Sequence, residues 1–194
     1  TGEKVWSFDA QTGVMAGPVT YSVNGEQYVA VLSGWGGVFP LVAGEVSLKS
    51  GRVRNVSRML AFKLDGKVSL PLLPALEEPV LNPPASTASA AAIHHGEAVY
   101  QRFCSGCHGD VAVSGGLLPD LRYSTALGDD LWFEIVRDGA YQSMGMVAFG
   151  KEVSQQDAAD IGAYVIFRAN QSVSEAKAAA TKAAGDAEKA NPDK

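Results

Sequence analysis

Two cysteines and a histidine lie close together near the middle of the chain, in the segment Cys104-Ser105-Gly106-Cys107-His108. These are the only cysteines among the 194 residues. The Cys-x-x-Cys-His spacing is typical of c-type haem attachment, in which two thiols bind the porphyrin and the following histidine ligates the iron. The motif therefore predicts a haem c held by Cys104, Cys107 and His108, and a protein that moves single electrons in an oxidising compartment outside the cytoplasm.

Two other roles remain open for the thiols, a disulfide or half of a zinc site. Zinc would need further Cys or His ligands, and only His94 and His95 remain. The haem interpretation is favoured because its spacing carries a defined chemistry. The same two histidines are a weaker alternative for the sixth iron ligand, since a position at a helix start favours solvation.

A methionine is the expected sixth ligand, because a Met/His axial pair gives a haem a high potential. Of the four methionines, Met15 and Met59 belong to the N-terminal β-segment. Met146, in the Gly145–Phe149 loop, is the predicted ligand, and Met144 is its rival. The alternative for Met146 is a loop side chain that fills an irregular gap.

The first 70 residues have β-strand patterns. Pro18 to Val23 alternates apolar and polar residues, and the Asn24-Gly25 pair that follows favours a tight hairpin turn. The next strand, Gln27 to Leu32, is apolar on both faces, as expected inside a layered β-fold. Arg58 to Leu64 is a further strand. A sheet of so few strands has unprotected edges. We therefore expect this segment to need neighbouring strands that are absent from this sequence.

A linker separates these strands from a helical part. Residues 71–92 contain five prolines followed by small residues, which predicts a semi-rigid extended connector. Residues 93–170 have helical spacing and form the predicted haem domain. The tail, 171–194, is rich in Ala, Lys and acidic residues and is expected to be either a weak solvated helix or disordered.

Within the helical part, Gly96 to Phe103 leads into the haem motif. Asp129 to Asp138 has a helical apolar pattern, and Ser154-Gln155-Gln156-Asp157 resembles a capping box that opens a last helix, Gln155 to Arg168. Its predicted apolar positions are Ile161, Tyr164, Val165 and Phe167.

Charge and hydropathy exclude two classes of function. The formal net charge is −5, which gives no reason to expect nucleic acid as a partner. No apolar run approaches the roughly 20 residues that cross a bilayer, so the chain is not expected to be transmembrane itself. It begins at Thr1 without an initiator methionine or signal peptide, and we expect it to be a piece of a longer protein.

The haem domain resembles the class I cytochromes c. The residues that carry the resemblance are Gly96-x-x-x-Tyr100, Cys104-x-x-Cys107-His108, Leu118-Pro119-Asp120-Leu121-Arg122, Gly145-Met146 and Tyr164. The resemblance implies that Gly96 lets the first and last helices pack closely, with Tyr164 in that contact. It also implies that Pro119 lines the proximal side of the haem and that Arg122 contacts a haem propionate. A surface salt bridge is the alternative for Arg122.

The β-segment resembles the last tryptophan-containing blade of the eight-bladed propeller dehydrogenases that use pyrroloquinoline quinone (PQQ). The resemblance rests on Thr1–Trp6, Pro18–Tyr21, Asn24-Gly25 and Gln27–Val31. It implies that Trp6 docks the blade and that Gly37 and Val38 contact the quinone. Plain packing and turn roles are the alternative for all three.

Taken together, the chain resembles the C-terminal part of a quinohaemoprotein alcohol dehydrogenase: a partial β-propeller followed by an all-α class I cytochrome c domain. The resemblance implies a periplasmic parent enzyme, in some cases at the outer face of the inner membrane, that uses haem c, PQQ and calcium. Electrons would pass from an alcohol to a cytochrome, a blue copper protein or a membrane quinone-reducing subunit.

No catalytic residue can be assigned to this sequence, because the family's catalytic and calcium-binding residues lie upstream. The substrate could equally be a sugar, a polyol or a polymeric alcohol. The competing hypothesis is a non-catalytic c-type electron carrier fused to a β-domain.

Overall fold

The computed structural model describes residues 1–36, 41, 56–73 and 80–190, with side chains up to residue 186. Its N-terminal part contains the strands β1 (Val19–Val23), β2 (Glu26–Ser33) and β3 (Arg58–Lys63). They form one antiparallel sheet in the order β1-β2-β3. The three predicted strands are therefore present, and each lies within two residues of its predicted bounds.

The turn between β1 and β2 has the conformation that the sequence predicts. Asn24 and Gly25 both have positive φ, 52° and 83°. A two-residue turn of this kind matches the right-handed twist of the strands it joins, and it needs residues that tolerate the left-handed region. The hairpin prediction is confirmed.

The faces of this sheet are largely open. Strand β2 was expected to be buried on both sides, but Leu32 is 59% exposed and Val29 is 36% exposed. Among the described sheet residues, only Ala30, Ser33 and Leu60 are buried. The expectation of burial is wrong, because among the described residues no second layer covers these apolar side chains. Three strands do not show a propeller blade.

The linker lies against the helical part at its C-terminal end. Residues 80–89 form neither helix nor strand, and the Asn170 side chain donates a 2.8 Å hydrogen bond to the Pro84 carbonyl. Ser89 then caps the first helix by accepting from the Ala92 amide. This helix begins at Ala90, so the last residues of the predicted linker are helical.

The C-terminal part contains four helices within the described residues 80–190. They are α1 (Ala90–Phe103), the short α2 (Ser105–His108), α3 (Leu131–Phe133, continued as a π-helical turn over Glu134–Asp138) and α4 (Gln155–Ala190). Single 3₁₀ turns over Asp110–Ala112, Leu121–Tyr123 and Gln142–Met144 connect them.

Helices α1 and α4 approach each other at Gly96. A Cβ atom at this position would lie 1.9 Å from the Asp160 carbonyl oxygen, so no other residue fits the contact. One turn further along α1, the ring of Tyr100 packs on that of Tyr164, with 5.3 Å between ring centroids. The close helix contact and the place of Tyr164 in it are as the cytochrome resemblance implied.

Helix α4 begins with the predicted capping box and continues past its predicted end. The Ser154 hydroxyl accepts from the Asp157 amide, and the Asp157 carboxylate accepts from the Ser154 amide. Three of its four predicted apolar residues are buried, whereas Phe167 is 40% exposed. The helix runs to Ala190, so the helical alternative is the one observed for residues 171–190 of the tail. None of the described helices has the length and apolar character needed to span a membrane.

Candidate haem site

The histidine of the motif is held in one orientation. Helix α2 is closed by bonds from the Cys107 and His108 amides to the Cys104 carbonyl, at 3.1 and 2.9 Å. The His108 side chain is buried, and its Nδ1 lies 2.8 Å from the carbonyl oxygen of Pro119. Because a carbonyl only accepts, Nδ1 carries the proton. The lone pair on Nε2 is therefore available to a metal ion.

The two cysteines of the motif differ in exposure. Both are free thiols; Cys104 is buried and Cys107 is exposed. Burial is the main cause that raises the pKa of the Cys104 thiol to about 12, and it therefore stays protonated at neutral pH.

No separate metal cluster competes with this site. In the part of the chain that the structure describes, no group of three or more His, Cys, Asp or Glu side chains is arranged to hold an ion. His95 lies 2.7 Å from the Asp157 carboxylate at the start of α4, and His94 is exposed. This contact gives His95 a role between α1 and α4, apart from the haem motif.

The residue that follows His108 is anchored from α1. The hydroxyl of Tyr100, whose side chain is fully buried, donates a 2.8 Å hydrogen bond to the Gly109 carbonyl. Burial raises the pKa of Tyr100 well above its usual value, so the phenol remains a donor at any physiological pH. Gly109 itself has a φ of 82°, which lets the chain reverse directly after the histidine.

The chain then follows a strained path. Val111 and Ala112 both have positive φ, 47° and 60°, which is rare for residues with a Cβ atom. Arg168 of α4 stabilises this path by donating from Nε to the Val111 carbonyl at 2.9 Å. The role of Arg168 could not be predicted from the sequence, because a lone arginine on a helix gives no sign of which distant carbonyl it reaches.

Arg122 is buried and faces a carboxylate. Its Nε and Nη2 donate to the two oxygens of Asp120 at 3.0 and 2.7 Å, and its Nη1 donates to the Ser172 hydroxyl at 2.9 Å. The Arg122 side chain is 7% exposed and that of Asp120 is 17% exposed, so the pair is more buried than the surface salt bridge considered as the alternative. Contact of Arg122 with a haem propionate stays a prediction.

The loop that carries the two candidate methionines distinguishes between them. Gly145 has a φ of 94° and separates the 3₁₀ turn that ends at Met144 from Met146. The Met146 amide donates to the Tyr141 carbonyl at 3.2 Å, and its side chain is half-buried. Met144 is 69% exposed. The geometry favours Met146, whose role as ligand remains a prediction.

The site suits a large, flat and mainly apolar group. The donor set combines two thiols with an imidazole of fixed tautomer. Apolar side chains in the two loops that hold Pro119 and Met146 are exposed, and a porphyrin is the kind of group that would cover them. These side chains are Leu117, Leu118, Tyr141 and Val147. We conclude that the residues present fit haem c.

The structure describes only some of the candidate residues of the β-segment. Trp6 is 63% exposed, and its ring packs edge-on against Phe62 at 5.3 Å. Trp35 lies about 3.7 Å from the position that a Cβ atom of Gly13 would take. Gly37 and Val38 lie outside the described residues, so their contact with a quinone stays a prediction.

Comparison with known proteins identifies the helical part. Residues 91–165 match the family described as cytochrome c oxidase, cbb3-type, subunit III. This match covers α1, the haem motif, the Met146 loop and the first turns of α4.

The rest of the chain also has relatives. The chain is 44% identical over 172 residues to the dehydrogenase subunit of an alcohol dehydrogenase (quinone) from Gluconobacter oxydans, which covers 88% of this chain and 23% of that protein. It is 41% identical over 170 residues to quinohemoprotein alcohol dehydrogenase ADH IIB from Pseudomonas putida, covering 86% of this chain and 24% of that one.

A solved structure gives the same result. The structure of quinohemoprotein alcohol dehydrogenase ADHIIG from Pseudomonas putida HK5 matches with a TM-score of 0.75 and 40% identity, over 87% of this chain and 24% of that one. The chain thus spans about a quarter of the length of the relatives it matches. Residues 91–165 are a cytochrome c domain, in a chain homologous to the C-terminal part of the quinohaemoprotein alcohol dehydrogenases.

Proposed function

We propose that this chain is the electron-transfer part of a periplasmic, PQQ- and haem-dependent alcohol dehydrogenase. One observation carries the proposal: the motif histidine donates from Nδ1 to the Pro119 carbonyl, next to two free thiols at haem-attachment spacing. When bound, haem c supplies reversible transfer of one electron at its iron.

The protein's residues have separate tasks in this proposal. Cys104 and Cys107 would hold the porphyrin through their thiols, and His108 would offer Nε2 to the iron. The Pro119 carbonyl keeps the imidazole in one tautomer and raises its basicity as a ligand. Met146 would offer a thioether as a further ligand, which would favour a high potential. Arg122 is the predicted propionate partner.

Covalent attachment is the first test. The chain is expressed in the periplasm together with a cytochrome c maturation system, and its haem is detected after denaturation by staining of a gel. We expect staining of the native chain and its loss in the double variant Cys104→Ala, Cys107→Ala. A Cys107→Ala single variant should keep one thioether, shifting the pyridine haemochrome band. A native chain that carries no haem after denaturation would refute the proposal.

The sixth ligand is tested with the two methionines of one loop. Met146→Ala should abolish the thioether-to-iron absorption band of the oxidised protein and lower the midpoint potential, because a weaker ligand replaces the thioether. Met144→Ala is the matched control, since its side chain is exposed and two residues away. Loss of the band in Met144→Ala alone would reassign the ligand.

The proposal for the parent enzyme rests on the β-segment and the relatives. The sheet leaves apolar side chains open on its faces, as expected for part of a larger β-structure such as an eight-bladed propeller. The relatives are named as alcohol dehydrogenases, which favours the enzyme over a carrier fused to a β-domain. We accordingly assign PQQ and calcium to the parent, with Gly37 and Val38 at the quinone.

The parent's partners follow from the same proposal. An alcohol would be oxidised in the propeller part, and the cytochrome domain would deliver the electrons to a cytochrome, a blue copper protein or a membrane quinone-reducing subunit. In the intact parent loaded with PQQ and calcium, a primary alcohol should reduce the haem, as followed by its visible spectrum. Reduction by dithionite but by no alcohol or sugar would leave only the carrier hypothesis.

A further inference from the structure

The carbonyl that orients His108 belongs to Pro119, which has few contacts to fix its own position. Pro119 is exposed and, as a proline, has no amide proton with which to anchor itself. Its position depends on the residues on either side. Ser114 donates from its hydroxyl to the Leu118 carbonyl, and its amide donates to the Asp120 carboxylate at 3.2 Å. Both flanks of Pro119 are therefore held.

Asp120 is the centre of this support. Its Oδ1 accepts from the amide and the Nε of Arg122, at 3.1 and 3.0 Å, and its Oδ2 accepts from Nη2 at 2.7 Å. Two parallel bonds from one guanidinium fix both the distance and the plane of the carboxylate. The Arg122 side chain is 7% exposed, so water competes little for these bonds.

Arg122 in turn connects this loop to helix α4. Its Nη1 donates to the Ser172 hydroxyl at 2.9 Å, and that hydroxyl donates to the Arg168 carbonyl at 3.0 Å. Helix α4 packs against α1, which leads directly into the haem motif. The connection therefore closes a ring that starts and ends at His108.

We propose that Asp120, Arg122 and Ser172 are positioning residues for His108, acting through the Pro119 carbonyl. This inference rests on the proposed role of His108 as an iron ligand. It gives Arg122 a function on the protein side of the haem, distinct from its predicted contact with a propionate. It also gives the first turn of the tail, at Ser172, a part in the haem site.

The test compares two arginines in the haem-loaded chain. Arg122→Lys keeps the charge but removes the two-bond fork to Asp120. Arg168→Lys also keeps the charge, at an arginine of α4 whose Nε donates to the Val111 carbonyl. The measured quantity is the solvent exchange rate of the His108 Nδ1 proton, which is observed by paramagnetic NMR. Exchange of amides in α1 and α4 reports global opening.

We expect the exchange rate of the His108 Nδ1 proton to rise about tenfold in Arg122→Lys and less than twofold in Arg168→Lys. The reason is that only the first change frees the Pro119 carbonyl. The midpoint potential should rise in Arg122→Lys alone, since a weaker Nδ1–H bond lowers the basicity of the ligand. Ser172→Ala, which changes no charge, should act in the same direction with about a threefold effect.

Two results would overturn the inference. Equal exchange rates in the native chain and in Arg122→Lys would show that Arg122 serves only a propionate or the loop's own stability. An equal acceleration in both lysine variants would show general loosening. If Arg122→Lys does not fold, Ser172→Ala decides between the outcomes by the same readout. Failure of the proposed function is seen separately, as absence of covalent haem in the native chain.

Discussion

The helical part and the sheet of this chain differ in how completely they bury their apolar residues. The hydrophobic cluster of the helical part reaches from Tyr100 to Val165 and includes residues from α1, α3 and α4. In the described sheet, Ala30 and Leu60 are the buried apolar residues, whereas Val19, Leu32 and Met59 are more than half exposed. The helices cover one another, whereas the described residues provide no such cover for the sheet.

This difference indicates where each part obtains its stability. A three-stranded sheet needs packing on at least one face, and exposed apolar patches of this kind mark surfaces that contact another element. The helical part has buried hydrogen bonds across its elements, such as Trp132 Nε1 to the Ala158 carbonyl at 2.8 Å. We infer that the cytochrome domain is the independently folding part, and that the sheet completes its packing in the parent.

The largest expected effect is at the α1–α4 contact. Gly96→Val should destabilise the cytochrome domain by about 3 kcal/mol or more, because its Cβ atom would overlap the Asp160 carbonyl and force the helices apart. Urea unfolding followed by circular dichroism measures the change. Gly185→Ala, where a Cβ atom meets nothing within 4 Å, is the control and should not lower stability. A Gly96→Val chain as stable as the native one would contradict the packing described here.

A smaller effect is expected where α4 begins. Ser154→Ala should lower the free energy of unfolding by about 1 kcal/mol at neutral pH, because it removes the hydroxyl that caps the helix and hydrogen-bonds Asp157. The Ser154 hydroxyl, then His95, lowers the pKa of Asp157 to about 2. A lowered carboxyl pKa contributes stability above the unfolded value near 4, and this contribution is lost as pH falls towards 2.

The difference between the native chain and Ser154→Ala should therefore shrink as the pH falls from 5 to 2. Thermal unfolding at a series of pH values measures it. Ser174→Ala is the control, because the Ser174 hydroxyl bonds only the Asn170 carbonyl within α4 and no carboxylate. A difference that stays constant over this pH range would mean that Asp157 does not act through the Ser154 hydroxyl.

Local patterns predicted the parts of this structure that depend on neighbouring residues. The Asn24-Gly25 turn, the Ser154–Asp157 capping box and the helical apolar spacing of Trp132 and Val136 each depend on a few consecutive residues, and each is present. The haem motif is of the same kind, because its five residues are contiguous. Gly96 and Tyr164 were placed by family resemblance, and the structure shows them in contact with the opposite helix.

The contacts that the sequence could not predict join residues far apart along the chain. Arg168 reaches Val111 over 57 positions, and Arg122 reaches Ser172 over 50. A side chain's type limits what it can bind, but which carbonyl or hydroxyl it meets depends on the packed helices. Burial of β2 failed as a prediction for a related reason. Its pattern fits a layered fold, and the covering layer is not among the described residues of this chain.

The smallest expected effect sharpens the contrast between the two parts. Met59 is 71% exposed on β3, so Met59→Lys should change the stability of this chain by no more than about 0.5 kcal/mol. We propose that a neighbouring element covers this face in the intact parent. There the same substitution would lower the free energy of unfolding by about 2 kcal/mol or more, because the lysine would lose its hydration. Thermal unfolding of both proteins measures the two changes, with Lys63→Met, at an ion-paired surface position, as the reverse control. An equally small change of stability in the parent would mean that this face of the sheet is exposed there too. No neighbouring element would then cover Met59 in the parent.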